Sequence, residues 1–179
     1  MPNLYAHLVL SKIFLEKELL NVNENLDMNN FYFGSCVPDI GYFSGIERKI
    51  THFYESDPED LFENRTFFEK SFLKGYTLHI HLDNIWKYEI RLKNNISIEK
   101  NAEIYNYFDS FLENRFDIKI NSFKSYIFKG NCDFLKKLNI EEDTCKNWKK
   151  TAFYTVSDFQ FNEKYQKIID SYLKILKIN

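Results

Sequence analysis

Near the end of the chain, Phe161, Tyr165, Ile168, Ile169, Tyr172 and Leu176 recur at intervals of three and four residues. That is the period of one face of an α-helix, and Ser157 with Gln160 has the form of a capping box ahead of it. The pattern predicts a helix over about 158–176. Ile104, Phe108, Phe111 and Leu112 trace a second apolar face, on a helix opened by Ser97. Asp57-Pro58-Glu59-Asp60 combines a capping carboxylate, a proline suited to the first helical position and two acids in the first turn. It predicts a helix or helix pair running to about residue 92, with Gly75 as a candidate kink or break. Asn3 is placed to cap a first helix reaching about Leu20. Residues 31–50 hold Gly34, Gly41, Gly45 and Pro38 and read mostly as loop, while 116–128 is ambiguous between helix and strand. No alternating run requires a sheet, so the expected fold is an all-α multi-helix bundle, a single domain over 1–179.

Composition narrows the class. A chain of 179 residues has the size of one ordinary domain, and 44% apolar with 28% charged residues lies far from the signature of disorder. The net charge of −2 supplies no basic footprint, so neither nucleic acid nor an anionic membrane surface is expected as a partner. No apolar run approaches the roughly 18 to 20 residues of a membrane-spanning helix, and the start of the chain lacks the pattern of a secretory signal. Cys36, Cys132 and Cys145 are odd in number and widely spaced, so no disulfide framework or Cys-x-x-Cys motif can be drawn. A reducing compartment and a cytoplasmic location follow as expectations. Cys36 reads as a small buried packing residue.

The charge is uneven: net −6 through residue 116 and +4 after it. All four histidines fall in the acidic part. That arrangement suits a cation held by the first two thirds of the chain, and ordinary surface variation accounts for it equally well. In Gly75-Tyr76-Thr77-Leu78-His79-Ile80-His81-Leu82-Asp83, helical geometry puts His79 and Asp83 on one face, whereas His81 points roughly 200° away from His79. His81 therefore reads as a packed or hydrogen-bonded helix residue. The pair His79 and Asp83 can share either a metal or a hydrogen-bond partner, and the latter is commoner for a lone His-x-x-x-Asp.

Other stretches fall in a telling order. Met1-Pro2-Asn3-Leu4-Tyr5-Ala6-His7 is followed by Phe33-Gly34-Ser35-Cys36-Val37-Pro38-Asp39-Ile40, then by Thr51-His52-Phe53, then by Gly75-Tyr76 leading into His79, Asp83 and Trp86. Over residues 1–92 this ordered set resembles the zinc-dependent phospholipases C. The resemblance implies an all-α fold in which Asp39, His52, His79 and Asp83 bind one zinc and His7 shares Asp83 to hold another. Asp39 is also implied as the catalytic base. The implied activity is phosphoester hydrolysis with zinc-activated water as nucleophile, acting on a small-molecule phosphate ester or a phospholipid head group.

Imidazole nitrogen and carboxylate oxygen suit Zn2+, one or two ions, and a carboxylate-rich site also admits iron or manganese. No histidine follows His81, so any further ligands are acidic, with Glu89, Glu103 and Asp109 as candidates. Two other readings stand beside the hydrolase: a zinc-dependent single-strand nuclease, and a helical binding or scaffold module that keeps a structural metal without catalysis. No Gly-rich phosphate loop and no nucleophile elbow occurs.

Overall fold

The computed structural model describes residues 3–19 and 25–178. It is all-α: no strand occurs among the described residues. The helices are α1 (Leu4–Leu19), α2 (Met28–Cys36), the short turns α3 (Gly41–Ser44) and α4 (Arg48–Thr51), α5 (Phe67–Ile85), α6 (Ile98–Phe116), α7 (Lys124–Lys129), α8 (Glu142–Thr151) and α9 (Glu163–Ile175). α5 continues without a break into a π-helical segment, Trp86–Arg91.

α2, α5, α6 and α9 each begin where a side chain, from Asp27, Thr66, Ser97 and Asn162 in turn, accepts from a free N–H group of the first turn, whereas the Asn3 side chain donates to Asn106 and Asp109. Thr66 and Glu69 form a reciprocal capping box on α5. Ser97 Oγ accepts from Lys100 N on α6 at 3.2 Å, as the sequence predicts. The first half of α1 is buried all round: Tyr5, Ala6, His7, Leu8, Val9 and Leu10 are inaccessible to solvent, as expected where a helix enters the centre of a bundle.

α2 and α5 touch backbone to backbone. A Cβ on Gly34 would fall 2.1 Å from Phe72 O, and one on Gly75 2.0 Å from Phe31 O. Gly75 thus marks a close approach and not the expected kink, since α5 is helical on both sides of it. This contact brings the end of α2 alongside the ring of His79.

Several boundaries differ from the sequence expectations. Asp57 caps only the 3-10 turn Pro58–Leu61, accepting from Glu59 N; Phe62 is then extended, and the helix starts afresh at Thr66. The last helix starts at Glu163 because Asn162, and not the pair Ser157 and Gln160, accepts from its first turn. Phe161 lies outside it and is 70% exposed. Residues 31–50 are mostly helical, through α2, the 3-10 turn Val37–Ile40, α3 and α4, because packing against α5 overrides the local glycine and proline signals. The ambiguous stretch 116–128 resolves into a 3-10 turn and α7. Leu20 lies outside the described residues.

The cysteines are also corrected. Cys132 and Cys145 form a disulfide, with Cα atoms 5.9 Å apart, because the 3-10 segment Cys132–Leu138 packs on α8. Cys36 is free and fully buried, donating to Phe33 O at 3.4 Å.

Candidate metal centre

Four separate segments deliver the polar side chains buried among α1, α2 and α5. α1 supplies His7, the Pro38-Asp39 turn after α2 supplies Asp39, α4 ends at His52, and α5 carries His79 and Asp83 one turn apart. His7, His52, His79 and Asp83 are buried, while the Asp39 side chain is 19% exposed at the rim.

Asp39, His52, His79 and Asp83 each present one ligand atom, and these four atoms all lie within 4.8 Å of one another. Asp83 Oδ2 is 3.2 Å from His52 Nε2 and 3.5 Å from His79 Nε2. Asp39 Oδ1 is 3.6 Å and 3.8 Å from the same nitrogens. In a tetrahedron with bonds near 2.1 Å, neighbouring ligand atoms stand about 3.4 Å apart, so this spacing is that of a set converging on one ion. The other oxygen of Asp83, Oδ1, is 3.2 Å from His7 Nε2. The His7 ring stacks on that of His79, with centroids 3.7 Å apart. All five residues singled out in the sequence therefore meet, with Asp83 in the middle.

The imidazoles are oriented from behind. His79 Nδ1 lies 3.0 Å from Ser35 O. A carbonyl can only accept, so Nδ1 carries a proton and Nε2 is the nitrogen that faces the centre, available as a ligand once it is deprotonated. His52 Nδ1 lies 3.0 Å from Thr51 Oγ1, a contact that leaves Nε2 as the ring nitrogen facing the same centre.

In front, the groups lack partners. His7 Nε2, His52 Nε2, His79 Nε2 and Asp83 Oδ1 are buried without a hydrogen bond. One such atom costs roughly 1–3 kcal/mol, and here four are gathered around Asp83, two of them, His52 Nε2 and His79 Nε2, facing the point where the four candidate ligands meet. Two imidazole nitrogens and two carboxylate oxygens fit a transition-metal ion and would satisfy it as ligands.

Electrostatics agrees with a site built for positive charge. Burial drives the His7 pKa down to about 4, helped by His79, and burial also lowers His52. Burial opposes charge on His79 as well, but Asp83 and Asp39 outweigh it and raise the pKa. Burial alone would raise Asp83; the charge of His79 and the imidazoles of His52 and His7 instead hold it well below the usual carboxylate range.

Arg48 is the participant that the sequence does not announce. Its Nη1 donates to Asp39 Oδ1 at 3.1 Å, its Nη2 donates to Asp83 Oδ2, and its Nε donates to Tyr54 Oη at 3.1 Å. The available signal is its position four residues before His52, which puts both on one side of the α4 turn. A cleft of about 350 Å3 opens beside Asp83, lined in part by Arg48, His52 and Tyr54.

The remaining candidates lie elsewhere. His81 is exposed on the far side of α5, neither ligand nor packed. Glu89 pairs with Lys93, and Glu103 with Lys100 and Tyr165. Asp109 is buried, but it accepts from Asn3 Nδ2 at 2.9 Å and Tyr154 Oη at 2.6 Å. Each acid has its own partner, and none joins the group around Asp83. Among the described residues that group is the only one of its kind. No helix among them is long and apolar enough to cross a membrane. Comparison with protein-family models, with curated proteins and with solved structures found no match to this chain.

Proposed function

We propose that this chain is a metal-dependent phosphoester hydrolase resembling the zinc-dependent phospholipases C. One observation carries the reading. Asp39, His52, His79 and Asp83 converge on one point, with the Nε2 atoms of His52 and His79 facing it while their Nδ1 atoms meet Thr51 Oγ1 and Ser35 O, and His7 stands against the other oxygen of Asp83. Bound there, zinc, iron or manganese supplies a Lewis acid that polarises a phosphoryl oxygen and activates water for attack. The chain supplies the rest. Asp83 presents one oxygen to each side of the site, His52 and His79 would hold the ion, and Asp39, reaching the rim from its turn, would be the base that takes a proton from the attacking water. The substrate is a small phosphate ester or a phospholipid head group.

A structural-metal module without catalysis is the second reading. It is favoured by the His7 side of the site, where among the described residues Asp83 is the one carboxylate paired with the imidazole. The cytoplasmic location expected from unpaired cysteines loses that support, because a disulfide such as Cys132–Cys145 persists in oxidising compartments.

The test is elemental analysis of protein purified without chelator, followed by turnover assays on chromogenic phosphodiesters, phosphomonoesters and a single-stranded oligonucleotide. At least one metal per chain with ester turnover supports the hydrolase. Tightly held metal with no turnover on any substrate supports the structural module, cleavage of the oligonucleotide alone supports a nuclease, and protein that neither holds nor takes up metal overturns all three.

A further inference from the structure

Two cations compete for the same oxygens at this site. Arg48 donates to Asp39 Oδ1 and Asp83 Oδ2. The pair Asp39 and Asp83 is also half of the candidate ligand group. A guanidinium in contact with both carboxylates and a divalent ion bound to them would sit a few ångströms apart in a buried setting, where like charges repel strongly. Occupation by the ion therefore requires Arg48 to turn away.

The structure offers it a place to go. Arg48 lines the 350 Å3 cleft, and its remaining donors already reach the phenols there, Nε to Tyr54 and Nη1 to Tyr42 at 3.4 Å. Both phenol side chains are exposed, 54% and 74%. Lys87 and Arg91 line the same cleft, four residues apart on the π-helical continuation of α5. Lys87 Nζ rests over the rings of Tyr54 and Tyr88, at 5.2 and 4.8 Å from their centroids. Arg91 makes no ion pair among the described residues, and of those lining the cleft Asp83 is the one carboxylate. Three cations thus face a cleft whose single acid already belongs to the ligand group. Such a cleft attracts a negative group and repels a positive one.

Resting on the metal reading above, we propose that Arg48 exchanges partners, releasing Asp39 and Asp83 to the ion and joining Lys87 and Arg91 to hold a second, non-reacting negative group of the substrate. The substrate class is then a phosphoester that carries another anionic group, and not one with a cationic head.

Two calorimetric titrations test this without turnover. In the first, zinc is titrated into metal-stripped wild type and Arg48→Met. Losing the competitor should tighten zinc binding about tenfold. In the second, zinc-loaded protein is titrated with phosphoglycolate and with phosphoethanolamine, matched in size and opposite in the charge of their second group. Wild type should prefer phosphoglycolate by about tenfold or more. Arg48→Met and, independently, the surface double variant Lys87→Gln/Arg91→Gln should lose that preference; the double variant keeps the test open if Arg48→Met does not fold. Equal zinc affinity in wild type and Arg48→Met overturns the exchange while leaving the metal site standing. Equal binding of the two ligands by wild type, or an unchanged preference in the double variant, overturns the substrate class. Zinc binding by neither protein overturns the metal reading and this inference together.

Discussion

His79 donates from Nδ1 to the carbonyl oxygen of Ser35 across the α2 and α5 contact, at 3.0 Å. The bond exists because Gly34 and Gly75 let the two backbones meet, so two residues with no side chain set the tautomer of a candidate ligand. Gly75→Ala should force the helices apart, since its Cβ would meet Phe31 O at 2.0 Å. The expected cost is about 3 kcal/mol, the upper end for overpacking, or a fall in Tm of roughly 6–12 °C for a chain of this size. Zinc affinity should fall with it as Ser35 O withdraws. An unchanged Tm by calorimetry would show that the contact can yield freely.

Helical geometry separates the two histidines of α5. His79→Ala should lower metal content per chain, whereas His81→Ala, on the exposed side, should leave metal intact and change stability by no more than about 0.5 kcal/mol. Elemental analysis of both variants decides it: equal metal loss would make His81 a ligand.

Local signals place parts of this site, but the grouping of His7, Asp39, His52, His79 and Asp83 comes from their order along the chain and the resemblance it carries. His79 and Asp83 share a helical face, Asp39 follows a proline, and the helix after Ser97 is read from cap and period alone. What stays hidden depends on contacts between distant segments. Gly34 and Pro38 look like loop residues until α5 is known to lie against them. Arg48 reads as ordinary surface charge until the two carboxylates are brought beside it. Cys132 and Cys145 pair through the packing of a 3-10 segment on α8, which no spacing rule encodes.

Reduction offers a separate handle on stability. The Cys132–Cys145 bond closes a loop spanning 13 residues, for which chain entropy predicts about 3 kcal/mol. A reducing agent should therefore lower Tm by roughly 6–12 °C. The double variant Cys132→Ser/Cys145→Ser should show the same fall and no further response to reductant. A wild-type Tm indifferent to reductant would contradict this.

Asp109 should make stability fall as pH rises. Burial pushes its pKa up from 3.8 to about 7, against the hydrogen bonds from Tyr154 and Asn3, with Glu113 adding to the rise. Between about pH 4 and pH 7 the folded chain holds a proton that the unfolded chain has lost. The contribution of this group is thus complete below pH 4 and is lost as pH rises through 7. At about 1.4 kcal/mol for each tenfold difference in proton affinity, the loss is on the order of 4 kcal/mol. Asp109→Asn removes the group, so the difference between variant and wild type in urea unfolding should grow in favour of the variant from pH 5 to pH 8. Parallel pH profiles would refute the assignment.

Asp39 is the ligand candidate whose replacement should affect rate more than binding. It stands on a 3-10 turn and not on a long helix, it is the most exposed of the five side chains, and its Oδ1 lies 3.6 and 3.8 Å from His52 and His79 Nε2. Under the hydrolase reading it holds one side of the ion and accepts the proton of the attacking water. Asp39→Asn keeps the shape of the side chain and one oxygen ligand but removes the negative charge and the basicity. Charge that develops only in the transition state then loses its partner, while the ground-state complex loses little. The expected result is a fall in kcat of about 100-fold or more, in the range of a lost general base, with KM changed by less than about threefold. Zinc should still bind through His52, His79 and Asp83, so metal content measured on the same preparation separates a chemical defect from an empty site. Full turnover in a metal-loaded Asp39→Asn variant would remove Asp39 from the catalytic role while leaving the metal centre in place.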